Sequence, residues 1–450
     1  MKKPTKLKDK KISRRTFLGR VLTTTSTAFV TVPRNVMSGR GHTTPSEKLN
    51  IAAIGAGGMG GYNIYHFAIM PDVNIVALCD VDLKSAADSF KHYPRAKIYR
   101  DFRKMLEKEK NIDAVVVSTP DHTHAVASMM AIKMGKHVYC EKPLSHSVYE
   151  ARKLAEAIRE SRVATQMGNQ GHSSEGARLI CEWIWDGALG PVREVHAWTE
   201  RPDWPQGIGR PKETPPIPAT LNWDLWLGPA PWRPYHPCYV PFKWHGWWDF
   251  GTGAIEMMSH VVDPVFWALK LGKTFSVEAS STMVNSETFP LASIVRYTFP
   301  QRGEMPPLKL TWYDGGLMPA RPQELELERR MGNKEGGVLF VGDKATLMCG
   351  CFAESPRLIP EAKMREYRRP PKTIPRSIGH YREWVEACKT SKSTGSNFEY
   401  AGALTEMLLA GNIAIRTGEK LDWDGPNLKF TNSPKANEYI WREYRTGWTL

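Results

Sequence analysis

From residue 49 onward, hydrophobic positions come in short runs that alternate with stretches of helical spacing. Leu49–Ile54, Val73–Cys79, Ala114–Ser118 and His137–Cys140 read as strands, with helices between them at Met59–Ala68, Leu83–Phe90, Phe102–Glu109 and Thr123–Met134. Apolar strands that each feed a helix predict a parallel sheet covered on both faces. A helix over Ser147–Glu160 and a short strand at Ala164–Met167 complete this unit. Past residue 171 the rhythm changes. A helix at Ser173–Asp186 and a strand at Val192–Trp198 precede a long Pro- and Trp-rich stretch, 201–248. Strand-like runs then cluster at Phe275–Met283, Ile294–Phe299, Leu308–Tyr313 and Val338–Val341, which predicts a predominantly antiparallel sheet and an α+β unit. Two late helices, Gly379–Thr390 and Ala401–Thr417, are expected to pack on that sheet or back on the first unit.

Charge changes the picture at the N-terminus only. The chain has 450 residues and a formal charge of +14, but residues 1–48 carry twelve Lys or Arg against Asp9 and Glu47. That is a net of +10 in the leader and +4 in the remainder, so the distributed basic face of a nucleic-acid binder is missing. Ser13-Arg14-Arg15-Thr16-Phe17-Leu18, followed by a modest apolar stretch, fits a twin-arginine export signal. The chain is therefore expected to reach the periplasm, or otherwise be exported, already folded. Seven cysteines without framework spacing suit folding under reducing conditions, and Cys349-x-Cys351 has no second pair to complete a metal site. No apolar run approaches the roughly 20 residues of a membrane span.

Chemistry enters with Gly55-Ala56-Gly57-Gly58-Met59-Gly60, a G-x-G-x-x-G run between the first strand and the first helix. In that context Gly55 permits the turn, Gly57 admits a pyrophosphate to main-chain amides, and Gly60 lets helix and strand close. The helix N-terminus at Gly58 and Met59 offers N–H groups and partial positive charge to phosphates. Asp80, ending the second strand, is placed to bind ribose hydroxyls and repel a 2′-phosphate, favouring NAD over NADP; Lys84 is the one cation near it in sequence. These features predict a Rossmann domain.

"STPDHTHAVASMMAIKMGKHVYCEKPLS" carries the next signal. Ser118-Thr119-Pro120 at a strand end, a helix opening near His124, and Glu141-Lys142-Pro143 after the next strand resemble the Gfo/Idh/MocA family of sugar and polyol dehydrogenases. The resemblance runs from residue 49 through the late helices. It implies an α/β Rossmann domain over 49–170, followed by an α+β domain with an open, predominantly antiparallel sheet over 171–450. It also implies a homo-oligomer and a sugar or glycoside substrate. Ser118, Thr119, Pro120, His124 and Glu141 would line the cofactor, and Lys142 would stand beside the nicotinamide and the reacting carbon. Chemistry supports the lysine independently, because oxidising a carbinol calls for a cation near the developing alkoxide and a base for its proton.

In the family's second catalytic segment, "DFGTGAIEMMSHVVDP" supplies His260 with Asp263 after it, and Glu256 stands where the family has Asp. Spacing of i and i+4 on a helix would put Glu256 and His260 on one face, making His260 the expected base and Glu256 its partner. Asn169, Gln170 and His172 fall where the family crosses between domains and are candidates for the sugar site, as is Asp263. Eight of the sixteen tryptophans lie between Trp198 and Trp248. Indole faces suit pyranose C–H faces, and Trp247 and Trp248 are the expected substrate contacts. His122 and His124 have no carboxylate or cysteine cluster to complete a metal set. The activity expected is NAD-dependent hydride transfer from a secondary alcohol of a sugar or glycoside, with the cofactor tightly held. A redox-neutral NAD-dependent glycoside hydrolase and a catalytically idle sugar- or cofactor-binding protein are the alternatives.

Overall fold

A computed structural model describes residues 48–390 and 392–450, and the stretch read as a twin-arginine signal lies outside the described residues. The alternation read from the sequence produces a six-stranded sheet: β1 (Leu49–Ile54), β2 (Val73–Cys79), β3 (Lys97–Tyr99), β4 (Ala114–Val117), β5 (His137–Glu141) and β6 (Thr165–Gly168). Every pairing is parallel, in the order β3-β2-β1-β4-β5-β6. All four residues of β4 are buried, as a strand covered on both faces requires. The helix Val148–Glu160 starts where the sequence stops it sliding. Ser147 caps the Glu150 amide, and the Glu150 carboxylate returns to the Ser147 amide.

The second sheet has nine strands: β7 (Val192–Thr199), β8 (Thr274–Ser281), β9 (Ser293–Phe299), β10 (Leu308–Tyr313), β11 (Gly336–Gly342), β12 (Thr346–Gly350), β13 (Arg357–Ile359), β14 (Leu421–Asp424) and β15 (Lys429–Phe430). Their order is β13-β12-β11-β7-β10-β9-β8-β14-β15, antiparallel throughout except between β7 and β10. The sheet is thus open and predominantly antiparallel. Sequence reading passed over β3, β12, β13, β14 and β15, all of five residues or fewer, where period-two patterning has too few positions to register.

The late helices tie the two halves together. In His380–Thr390, Trp384 and Val385 join the core formed by Leu49, Ile51, Phe67 and Tyr139 under the first sheet. The long helix Phe398–Thr417 packs along Val148–Glu160 and also onto β8. Gly402 is bare because a Cβ there would stand 3.1 Å from the Ala151 carbonyl oxygen. On the same interface Arg152 forks onto both Glu406 oxygens at 2.7 and 2.8 Å, a geometry a guanidinium holds and an ammonium does not. One cleft opens between the halves, at the carboxyl ends of the first sheet's strands.

Candidate active site

The glycine loop forms one end of this cleft. Gly55 has φ +83°, and a side chain there would meet the Ser118 carbonyl oxygen at 2.4 Å, so only glycine lets β1 turn against β4. Gly57 is bare for a reason additional to the one read from the motif. A Cβ on it would lie 2.3 Å from Ser85 Oγ, so the loop's own packing demands the glycine. Gly58 and Met59 face the cleft, and the space beside Gly58 is open. Gly60 lies behind them against the Gly55 carbonyl and is no part of the cleft wall.

Asp80 reaches the cleft from the end of β2, with one oxygen accepting the Ala56 and Gly57 amides at 2.8 and 3.1 Å and the other accepting the Asp82 amide. It organises the loop as well as facing the cleft. Burial raises its carboxyl above the ordinary value, and these amides oppose the shift. The tertiary structure adds a cation that sequence proximity did not reveal. Arg100, following β3, enters the same wall and donates to the Val81 and Thr220 carbonyls. Ser118, Thr119, Pro120, His124, Glu141 and Lys142 line the next stretch of cleft. His124 acts as a strut, with its two ring nitrogens 2.8 Å from the Pro143 and Thr119 carbonyls. Glu141 accepts from Asn63 at 2.8 Å.

Lys142 is where the two lobes meet. Its Nζ lies 2.6 Å from Glu256 Oε1, and the other Glu256 oxygen lies 2.6 Å from His245 Nδ1. Burial alone would depress the Lys142 ammonium, but Glu256, helped by Asp121 and Glu141, holds it above its ordinary value. For Glu256, burial pushes the carboxyl up while His245 and Lys142 pull it down, and the net direction is strongly down. Below them Asp121 is 1% exposed and accepts from the Thr252 hydroxyl at 2.8 Å. Burial, then the nearby Glu256 charge, raises the Asp121 carboxyl well above the usual range.

The expected Glu256–His260 pairing does not form. Gly253–Met257 is a 3-10 turn and only Met258–Val261 is α-helical, so residues four apart no longer share a face. His260 does line the cleft, but its Nδ1 is buried without a hydrogen-bond partner and its ring packs on Phe352 at 4.7 Å. Burial, then Lys142, holds its pKa well below the ordinary value.

Of the expected substrate groups, only Gln170 reaches the cleft. His172 Nδ1 sits 3.0 Å from an Asp263 oxygen, Asn169 donates to Asp263 at 3.0 Å, and Tyr400 donates to it at 2.8 Å. These three polar residues satisfy Asp263 in a closed knot behind the cleft, where a lone buried carboxylate would be costly. Trp247 is fully buried and donates to the Cys238 carbonyl, while Trp248 packs tilted against Phe289 at 3.7 Å and donates to the Asn285 carbonyl. Both anchor the irregular loop. The indoles on the cleft wall are instead Trp204, Trp226, Trp244 and Trp448. His122 faces the Trp226 and Phe250 carbonyls, and no cluster of metal-ligating side chains occurs among the described residues.

His245 and Asp121 are the groups that sequence reading missed. His245 sits alone in a tryptophan-rich loop eleven residues from Glu256, and no local spacing marks that pair. Asp121 opens the helix Asp121–Lys133, where an acid is ordinary.

The cleft, about 680 Å³, runs without interruption from the glycine loop and Asp80 to Lys142, Glu256 and His245. Its fit to a dinucleotide rests on three features: open space over Gly58, an uncapped helix N-terminus at Met59, and a carboxylate at the end of β2. Gly55, Gly57, Gly58, Met59 and Asp80 would hold the phosphates and the adenosine ribose.

Residues 49–169 match a family model described as an oxidoreductase family with an NAD-binding Rossmann fold. Residues 201–299 match the C-terminal α/β domain of the same oxidoreductase family. An inositol 2-dehydrogenase of Rubrobacter xylanophilus is 31% identical over 166 residues, covering 36% of this chain and 47% of that relative. A levoglucosan dehydrogenase of Pseudarthrobacter phenanthrenivorans is 25% identical over 168 residues, covering 35% of this chain and 42% of the relative. The chain spans about half the length of these relatives or slightly less. In fold it is similar to the WlbA dehydrogenase from Bordetella pertussis, crystallised with NADH and UDP-GlcNAcA. The TM-score is 0.59 at 17% identity, covering 84% of this chain and 99% of the other.

Proposed function

The chain belongs to the Gfo/Idh/MocA oxidoreductase family, and from that premise we propose that it is an NAD-dependent oxidoreductase acting on a secondary alcohol of a sugar, glycoside or cyclic polyol. The observation that carries this reading is the continuous cleft, which joins the glycine loop and Asp80 to Lys142. When bound, NAD supplies the hydride acceptor. Gly55, Gly57, Gly58, Met59, Asp80, Ser118, Thr119, Pro120, His124 and Glu141 form the cofactor side, with Gly60 supporting the loop from behind.

Lys142 has three N–H donors and uses one on Glu256, which leaves others for the substrate oxygen as it gains negative charge. A cleft imidazole takes the hydroxyl proton. Trp204 and Trp244 offer apolar faces to the sugar's C–H groups. The names of the inositol and levoglucosan relatives support the substrate class.

Three further readings belong to this proposal. The chain is exported by the twin-arginine route with its cofactor already bound, because folded export keeps a tightly held dinucleotide in place. It divides functionally into leader 1–48, cofactor domain 49–170 and substrate domain 171–450. It assembles as a homo-oligomer through the open sheet.

The test is to purify the full chain, extract any bound nucleotide, and follow nicotinamide absorbance while adding myo-inositol, levoglucosan, methyl glucosides and aryl glycosides. A lasting rise in reduced nicotinamide is expected. Aglycone release without lasting reduction would replace the reading with a redox-neutral hydrolase, and bound NAD unchanged by every probe would leave a binding protein.

A further inference from the structure

We propose that His245, not His260, accepts the hydroxyl proton, with Glu256 as its positioning residue; the assignment rests on the oxidoreductase reading above. Glu256 bridges Lys142 and His245 through separate oxygens, each contact 2.6 Å long. A carboxylate beside an ammonium only accepts hydrogen bonds, so His245 Nδ1 must be the nitrogen that carries hydrogen. In the neutral ring the lone pair then sits on Nε2, and His245 lines the cleft with Lys142.

The ring has little freedom to leave this pose. Trp244 stacks on it at 3.6 Å with an interplanar angle of 24°, and Trp204 stacks at 4.5 Å and 22°. Phe242 meets it edge-on at 4.7 Å. Burial holds the imidazole below its ordinary pKa, and Lys142 and Arg201 act the same way, while Glu256 opposes them. His245 is therefore neutral near neutral pH and ready to receive a proton. Once protonated, it lies against the Glu256 carboxylate and between two indole faces, both of which favour a cation. His260 has no such support, since no carboxylate bonds its ring and its Nδ1 is buried without a partner.

The step balances as follows. The substrate O–H bond breaks and its proton passes to His245 Nε2. The carbinol C–H bond breaks and its electron pair leaves as hydride to oxidised nicotinamide dinucleotide, the named oxidant. The carbon–oxygen double bond forms, so the alcohol is oxidised and the dinucleotide reduced. Lys142 stays protonated and holds the oxygen.

The experiment uses the full-length chain loaded with NAD, with methyl glucosides and myo-inositol as probes. His245→Gln is expected to lower kcat by about 10²–10⁴-fold and to remove the acid limb from the pH profile of kcat/KM. Dinucleotide affinity, read by fluorescence, should stay within about 3-fold, a change under ~1 kcal/mol. Glu256→Gln should shift that limb to lower pH, because the imidazolium loses its carboxylate; His260→Ala should keep the limb. Independently of turnover, nitrogen NMR of the wild-type imidazoles should find His245 with its proton on Nδ1. An Nε2–H tautomer there would overturn the proposal even if H245Q failed to fold. An H245Q enzyme whose rate and acid limb match wild type would overturn the assignment alone. A wild type whose nicotinamide stays oxidised with every alcohol supplied would overturn the oxidoreductase reading beneath it.

Discussion

Lys142 Nζ and Glu256 Oε1 lie 2.6 Å apart although they come from opposite lobes, so the cleft floor is closed by an ion pair. The Glu256 side chain is 3% exposed and the Lys142 side chain 16%. Such a pair is asymmetric in its energetics. Its net contribution is small, but removing one member strands a buried charge.

Lys142→Ala is accordingly expected to cost about 3 kcal/mol of stability, while Lys142→Met combined with Glu256→Leu should cost less than the single change. Urea unfolding of the dinucleotide-free chain measures both. Turnover of the single variant should fall by about 10²-fold or more, since the oxyanion loses its cation.

Asp80 links loop geometry to cofactor choice, because the same carboxylate fastens the Ala56 and Gly57 amides. Asp80→Ala should weaken NAD binding by about 1.5–3 kcal/mol, roughly 10–100-fold, through lost charge-assisted hydrogen bonds and a loosened loop. Titration calorimetry reads the change, and an unaltered dissociation constant would remove Asp80 from the ribose site.

At the other end of β2, Asp72 meets Arg382 at 2.7 Å and also pairs with Lys389, both on the helix His380–Thr390. Burial pushes the Asp72 carboxyl up, but these two cations outweigh it and lower it from 3.8 to about 2. The folded state thus binds its proton more weakly than the unfolded state does. The resulting stabilisation is complete above the ordinary value and is lost as pH falls through about 2. Asp72→Asn should cost about 1–2 kcal/mol at neutral pH, allowing for partial solvent screening. The difference from wild type should vanish in acid, as unfolding at stepped pH would show.

Arg152 carries a second tie between distant helices, outside the cleft. Its fork on Glu406, which is 4% exposed, and its bond to the Gly425 carbonyl hold Val148–Glu160 to Phe398–Thr417. Arg152→Ala is expected to destabilise the chain by about 3 kcal/mol, and Arg152→Lys to recover only part of that, because one ammonium cannot reproduce the two-pronged contact. Chemical denaturation distinguishes the two variants, and equal stability of the lysine variant and wild type would refute the geometric account.

Much of the scaffold was legible because its causes are local. Leu49–Ile54, Val73–Cys79 and Leu308–Tyr313 occupy the residues that their apolar runs suggest, and Met59–Ala68 begins and ends where its pattern does. Gly55 could be read from the motif because a left-handed turn is a property of one residue. Trp247 and Trp248 misled for the opposite reason. A loop with little regular backbone pairing needs large anchors, and composition cannot distinguish an indole that fills a core from one that faces ligand.

By itself, then, the sequence determined the β/α alternation, the glycine turn, the Asp80 carboxylate at a strand end and the Lys142 ammonium just past another. Each depends on neighbours within a few residues. Only the tertiary structure decided that Glu256 turns to Lys142 and His245 and away from His260, that Asp263 is enclosed with Asn169 and His172, and that Arg100 enters the cofactor end of the cleft. Those outcomes follow from a 3-10 turn that rotates Glu256 off the expected helical face, and from pairings such as Lys142 with Glu256, 114 positions apart in the chain. A hydrophobic pattern carries no information about which buried charges will share a low-dielectric space, because that depends on where distant segments come to rest.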